Sequence, residues 1–317
     1  MTLIKMAWQN LMRHKNRTLL SLLAVISGVF MVVLLMGFIN GFSDMIFFHN
    51  INLNSGQVRI IRPEYSIYET TLSTSFPVGE KGKGYDELVR EIQKVPNVKS
   101  AFGRIRFGMM LVVGEEYKPV LGVGSPLSEE EKINHLSRFL KKESHGRLPS
   151  PGTREMILGS VIMKELKLKV GDKVNAVFST SYGNFRVATF KIVGEIASGV
   201  NFLDEYAAYI PLDEAMLLLE IENMVTEIVV FSNDQDQADF DRARILGVNI
   251  EKTLTGLKED YKVVPWYLYN EVIISLTKSL LYVLLYILIM TLASFVVFNT
   301  LTLVVMERTQ EIGTLAA

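Results

Sequence analysis

Thr18-Leu-Leu-Ser-Leu-Leu-Ala-Val-Ile-Ser-Gly-Val-Phe-Met-Val-Val-Leu-Leu-Met-Gly-Phe-Ile-Asn-Gly-Phe-Ser43 runs for about 26 residues without a charged side chain. A helix needs about 20 apolar residues to cross the hydrocarbon core of a bilayer, so this stretch reads as a transmembrane helix. Basic residues precede it, as they would a secretory leader. Its apolar part, however, is far longer than the roughly 7–15 residues of a leader's hydrophobic region, and no small-residue cleavage site follows. The reading is a retained membrane anchor.

Toward the C-terminus, Val272–Met306 forms a second apolar run, interrupted only by Lys278. At about 1.5 Å per residue it would be about 50 Å long, more than a bilayer requires. The surplus, around Val272–Ser279, is expected to project outward as a stalk, with Lys278 where its charge can be solvated. Lys5, Arg13, Lys15 and Arg17 precede the first span and Asp44 follows it. The positive-inside rule therefore puts the N-terminus in the cytoplasm, the long middle segment outside and the C-terminus back inside. Ahead of the first span, Leu3, Ile4, Ala7, Trp8, Leu11 and Met12 share one helical face. This predicts an amphipathic helix on the inner membrane surface, with Trp8, Arg13, Lys15 and Arg17 as interface anchors. Ala24 with Gly28, and Gly37 with Gly41, have the small-xxx-small spacing that permits close helix contact.

Bulk composition agrees with a membrane protein. Hydrophobic residues make up 49% of the 317 and charged residues 21%, and mean hydropathy is positive, too apolar for an ordinary soluble enzyme of this size. Net charge is −1 and the basic residues form no tract, so nucleic-acid binding is set aside. The absence of cysteine removes disulfide frameworks and thiolate chemistry. The four histidines, His14, His49, His135 and His145, lack metal-ligand spacing. No metal or other cofactor is expected.

The middle segment is large enough for one or two compact domains. Its patterning predicts strands at Val58–Ile61, Phe107–Val113 and Val120–Val123, the last two joined at Gly114–Glu116. Further strands are predicted at Met156–Leu158, Lys173–Phe178, Arg186–Val193, Ala207–Ile210 and Thr226–Phe231. Helices are predicted at Tyr85–Val95, after Pro126 with Ser128 and Glu131 as a capping box, through Lys164, at Leu212–Leu219 and at Gln235–Leu246. The Pro- and Gly-rich stretch Gly146–Thr153 suggests a crossing between two subdomains. The fold class is a membrane protein with α-helical transmembrane segments and an α+β extracytoplasmic domain of two subdomains. Its expected parts are a cytoplasmic amphipathic helix (1–17), a first span (18–43), the outer domain (44–270), a second span with its stalk (271–306) and a cytoplasmic end (307–317).

The usual catalytic constellations are missing from the sequence. It has no nucleophile elbow, no HExxH helix and no complete phosphate-binding loop. Gly79-Glu-Lys-Gly-Lys-Gly84 has the wrong spacing to cradle phosphate and reads as a loop. Glu129–Glu131, Asp204 and Glu205 read as solvated faces or turns. Catalysis by this chain is not expected, and any energy for work would come from a partner.

The string Met306-Glu-Arg-Thr-Gln-Glu-Ile-Gly-Thr-Leu-Ala316 resembles the "ERxxEIGxLxA" segment that follows the second span in permeases of the MacB/FtsX-like superfamily of ABC transporters. The resemblance implies a coupling helix seated in a cytoplasmic ATPase subunit, with Glu307, Arg308, Glu311, Ile312, Gly313 and Leu315 at the contact. Ile312 and Leu315 would supply the apolar face, and Glu307, Arg308 and Glu311 the directional ion pairs. Ala7-Trp-Gln-Asn-Leu11 through Arg17-Thr-Leu-Leu20 is similar to the family's lead into its first span. Ile157-Leu-Gly159 through Leu168-Lys-Val-Gly-Asp-Lys-Val174 is similar to its "ILGxxLAxxLxLxVGDxV" element.

Leu121-Gly-Val-Gly-Ser-Pro-Leu-Ser-Glu129, followed by Gly146-Arg-Leu-Pro149, resembles the lipoprotein-releasing branch, although Gly124-Ser125-Pro126 stands where that branch has Ile-Asp-Pro. Partners implied by the resemblance are the ATPase, a second permease in a homo- or heterodimer, membrane lipid, lipoprotein cargo and a periplasmic carrier. The location implied is the inner membrane. Permeases of this family have four spans, and the sequence ends eleven residues beyond Met306, so a truncated or split permease is expected. Exporter-type and cell-division-type permeases remain open alternatives within the family, and a two-span receptor is the alternative outside it.

Overall fold

A computed structural model of the protein describes residues 15–81, 84–199, 201–233, 239–257, 259–269, 279, 282–294, 297–298, 301–302, 305 and 308. The chain divides into two compact units, Ile46–Asn270 and a second made of Met1–Met45 with Glu271–Ala317.

In the second unit, the apolar run beginning at Thr18 lies in helix α1, Lys15–Asn50. Leu22, Val29, Phe30, Val33 and Phe38 are all more than half exposed, as expected of side chains that meet lipid rather than a protein core. Among the described residues, one helix, Ile26–Ser55, is long and apolar enough to cross a membrane. Only parts of the second apolar run are described, including the helix Tyr282–Ser294. Gly28 is buried, and a Cβ there would come within 2.6 Å of Leu292 Cδ2, so the missing side chain permits that close approach. Among the described residues, Gly37 and Gly41 have no atom within 4 Å of the corresponding point.

The Ile46–Asn270 unit starts on the last turn of α1, which passes into a π-helical turn, Ile51–Ser55, and then strand β1, Val58–Ile61. Helices α2 (Tyr65–Tyr68) and α3 (Tyr85–Gln93) lead to β2 (Val98–Val113) and β3 (Glu116–Ser125). Next come α4 (Leu127–Asn134), β4 (Glu155–Gly159), α5 (Ser160–Glu165), β5 (Lys173–Ser179) and β6 (Phe185–Ile196). The unit closes with α6 (Asn201–Tyr206), β7 (Ala207–Pro211), α7 (Leu212–Leu219), β8 (Glu227–Ser232), α8 (Phe240–Leu254), β9 (Lys262–Pro265) and α9 (Trp266–Tyr269).

Strand pairing explains the architecture. The second half of β2 pairs with β3 on one side and β5 on the other. The order β2-β3-β7-β4-β6-β5 then returns to β2, closing a six-stranded ring with parallel pairs at β3–β7 and β4–β6. The first half of β2 pairs with β8, which continues through β1 to the edge strand β9. One long strand thus belongs to both a closed ring and an open sheet. Phe107, Phe178, Phe190, Met156 and Ala208 from the ring share a buried cluster with Leu88, Ile92, Leu246 and Ile250 from α3 and α8. Small closed sheets are filled by side chains in this way. A second cluster, including Leu53, Leu121, Val123, Ile157 and Tyr209, covers the other face and takes in the π-helical turn.

Three expectations need correction. Ser128 does not cap α4: the helix starts at Leu127 on Pro126 without a side-chain cap bond, and Glu131 accepts instead from Ser137 N at 2.7 Å. Glu130 and Asp204 are buried rather than solvated; each is held by hydrogen-bond donors that offset the loss of water. The helix expected from Gln235 to Leu246 is observed as Phe240–Leu254, with Asp239 as its N-cap accepting from Arg242 N, while residues 234–238 lie outside the described set. Proline and local polar groups set these boundaries more strongly than apolar spacing does.

Candidate functional site

Of the residues expected to contact an ATPase, Arg308 is described, as an exposed helical position; Glu307, Glu311, Ile312, Gly313 and Leu315 lie outside the described residues. Trp8 and Arg13 also lie outside them, whereas Lys15 and Arg17 fall in the first turn of α1. The geometry that can be built from side chains is in the Ile46–Asn270 unit, where two features adjoin.

The first is a buried polar clamp on the π-helical turn. A π-helical turn leaves backbone carbonyls out of α-helical register and often marks a functional position. Here its oxygens are collected by other elements. Arg104 of β2 donates through Nη1 to Asn54 O at 2.9 Å, Asn134 of α4 donates to Asn52 O at 2.6 Å, and Tyr209 of β7 donates to Leu53 O at 3.2 Å. Arg106 reaches the Asn54 side-chain oxygen, and the Asn54 amide donates to Asn50 Oδ1 at 2.9 Å.

The arginines are themselves paired. Arg104 Nε lies 2.6 Å from Glu130 Oε1, and Ser125 Oγ bonds the same oxygen. Glu227 lies between Arg59 at 3.0 Å and Arg106 at 3.4 Å. Arg59 also meets Glu69 at 2.7 Å. Three cations and three carboxylates therefore balance, with Glu69 alone of the six partly exposed, and this pairing is the condition under which buried charge is tolerated. Burial raises the Tyr209 phenol well above its ordinary value, keeping it a neutral donor.

The second feature is an open groove of about 1120 Å³ along the outer face of β9, β1, β2, β3 and β5. Arg59, Arg106, Glu69, Ser66, Thr70 and Lys262 line one side. Met109, Met110, Val120, Leu121, Val177 and Phe178 line the other, with Phe185, Tyr206 and Leu268 at its edge. Gly108 lies in its floor, where a Cβ would have only Leu72 Cδ1 nearby, at 4.0 Å. The clamp and groove share Arg59 and Arg106. Sequence reading missed both features, although the pattern Arg104-Ile-Arg106-Phe, with basic residues alternating with apolar ones, carried the signal for charges on one face of a strand.

The α+β unit follows directly on a helix that is long and apolar enough to cross a membrane. Residues 18–246 match the family model described as MacB-like periplasmic core domain. The chain belongs to that family, within the MacB/FtsX-like superfamily of ABC-transporter permeases.

Among curated proteins it is 26% identical over 104 residues to the lipoprotein-releasing system transmembrane protein LolE of Haemophilus influenzae, covering 33% of this chain and 24% of that one. The aligned region thus spans about a quarter of that relative's length. Among solved structures, the extracellular domain of the noncanonic ABC-type transporter YknZ from Gram-positive bacteria matches 65% of this chain and 98% of its own, at 16% identity and a TM-score of 0.44. The periplasmic region of MacB from Actinobacillus actinomycetemcomitans matches 71% of this chain and 95% of its own, also at 16% identity and a TM-score of 0.44.

Proposed function

We propose that the chain is a permease subunit of an ATP-driven ABC transporter, in which a separate cytoplasmic ATPase supplies the energy and the outer domain releases or hands over cargo. The observation that carries this reading is the family match over residues 18–246, joined to the coupling-helix string at Met306–Ala316. In this account residues 18–43 and 271–306 are spans, 44–270 lie outside, and 307–317 enter the ATPase. Residues 1–17 lie along the inner surface of the cytoplasmic membrane. A second permease, identical or related, completes the pair of spans and coupling helices.

The polar clamp supports a mechanical role. α1 continues into the π-helical turn Ile51–Ser55, and that turn is bonded to β2, β7 and α4. Movement of that helix would therefore be felt by the core of the domain rather than lost in a flexible linker. The proposed cargo is lipoproteins leaving the membrane, a reading supported by the similarity to the lipoprotein-releasing LolE protein; a soluble carrier outside would accept them.

The test is gentle extraction of the tagged chain from its native membrane and mass spectrometry of what co-purifies, with Glu311→Arg and Ile312→Ala as controls. An ABC ATPase lost in the controls and acylated proteins retained with the parent chain are expected. Absence of any ATPase from all samples contradicts the permease reading, and an ATPase without acylated proteins contradicts the cargo.

A further inference from the structure

The groove has a chemistry that the permease reading leaves unused. Its polar side chains come from β1, the α2 region and β9, with Arg106 of β2 beside them, whereas β3, β5, β6 and the far part of β2 present methionine, valine, leucine, proline and phenylalanine apart from Ser179. A peptide lying across that second part would find few side-chain hydrogen-bond partners there besides Ser179. An alkyl chain needs none. Met110, half-exposed on the groove face of β2, suits it because an unbranched thioether side chain adapts to a flexible ligand. At about 1120 Å³ the groove exceeds the roughly 300–1,000 Å³ typical of small-molecule sites, leaving room for an extended tail.

The polar end selects the sign of the head. Three cations, Arg59, Arg106 and Lys262, line the groove against one carboxylate, Glu69. The arginines are engaged with Glu227 and Glu69, while Lys262 Nζ donates to the neutral Ser66 Oγ at 2.8 Å, at the exposed edge. Two hydroxyl-bearing residues, Ser66 and Thr70, flank the same end.

We propose that this groove binds a single-chain anionic amphiphile, with its aliphatic tail along Gly108, Met110, Leu121 and Val177 and its head at Lys262 and Ser66. The site rests on this unit alone and not on the identity of the ATPase or the cargo, so either can fail without the other.

The test is photo-crosslinking of the full chain in lipid nanodiscs with palmitate carrying a diazirine in its tail, alongside the matching uncharged hexadecanol. Adducts are expected on peptides containing Met109–Met110 and Val177–Phe178, with palmitate labelling well above the alcohol. Gly108→Trp fills the floor and should reduce those adducts about tenfold, equivalent to ~1.4 kcal/mol of binding. Lys262→Glu, at the exposed edge, should reduce palmitate labelling several-fold without changing the unfolding midpoint. Adducts confined to residues 18–43 and 272–306, or undiminished by both substitutions, overturn the site. Equal labelling by the alcohol overturns the assignment of an anionic head.

Discussion

Arg104 Nε and Glu130 Oε1 meet at 2.6 Å with 1% and 0% of their side chains exposed, although the two residues come from a strand and a helix separated by a hairpin. Arg104 spends a second donor on the π-helical turn at Asn54 O, so the pair joins α4 to the turn that follows α1. Removing one member leaves the other charged and enclosed, which typically costs ~3–5 kcal/mol. Glu130→Ala is therefore expected to lower the stability of the Ile46–Asn270 unit by that order, measured by hydrogen exchange of β2 amides in the full chain. The double substitution Arg104→Met with Glu130→Leu should recover a large part of the loss; a double variant as unstable as the single one would contradict the pairing account.

Gly159 closes the Ile157-Leu-Gly159 element for a steric reason. Its φ of −62° and ψ of 145° are open to any residue, but an added Cβ would stand 2.2 Å from Asp204 O and 2.8 Å from Leu203 O. These are backbone atoms of α6, and Asp204 is fixed by Ser198 N at 2.8 Å and Gly199 N at 3.0 Å. Gly159→Ala should cost ~1–3 kcal/mol through overpacking, with faster exchange at α6 as the local sign. Unchanged exchange there would show that α6 can move aside freely.

The strands whose apolar residues alternate, such as Lys173–Ser179 with its Val174, Ala176 and Phe178, were legible because period-two patterning is local. β9 was missed: it has four residues and ends in Pro265, too short to show a period. Ring closure was also out of reach, since it depends on Leu121 meeting Ala207 and Glu155 meeting Lys191, pairings fixed by tertiary packing. Glu130 and Asp204 read as solvated because sequence alone shows a carboxylate but not its distant partner. The clamp was hidden for the same reason, as Asn54 and Asn134 are ordinary loop and helix-end residues until folding brings them together.

Tyr85 supplies a pH test. Burial, followed by the nearby Asp86 charge, pushes its phenol up to about 12, against about 10 in an unfolded chain. The folded state thus holds the proton more tightly, so the associated stability is fully present below pH 10 and is lost as pH rises through 12. Tyr85→Phe should flatten part of the stability decline between pH 10 and 12. The remaining slope comes from Tyr65, Tyr209 and Tyr261, which burial shifts in the same direction. An identical slope in the variant would contradict the assignment.

Orientation can be tested directly because the chain has no cysteine. Tyr182, 78% exposed in the turn between β5 and β6, is a suitable outer position. In spheroplasts, Tyr182→Cys should react with a membrane-impermeant maleimide, whereas Thr309→Cys should react only after permeabilisation. The reverse pattern would place the domain on the cytoplasmic side.

The central claim is that the C-terminal segment engages an ATPase, and the most direct measurement replaces Ile312 with photoreactive benzoylphenylalanine in the native cell. Irradiation should yield an adduct whose cross-linked peptide belongs to an ABC ATPase, and Glu311→Arg in the same chain should abolish it. Adducts with lipid alone, or with a protein lacking a nucleotide-binding fold, would contradict the account.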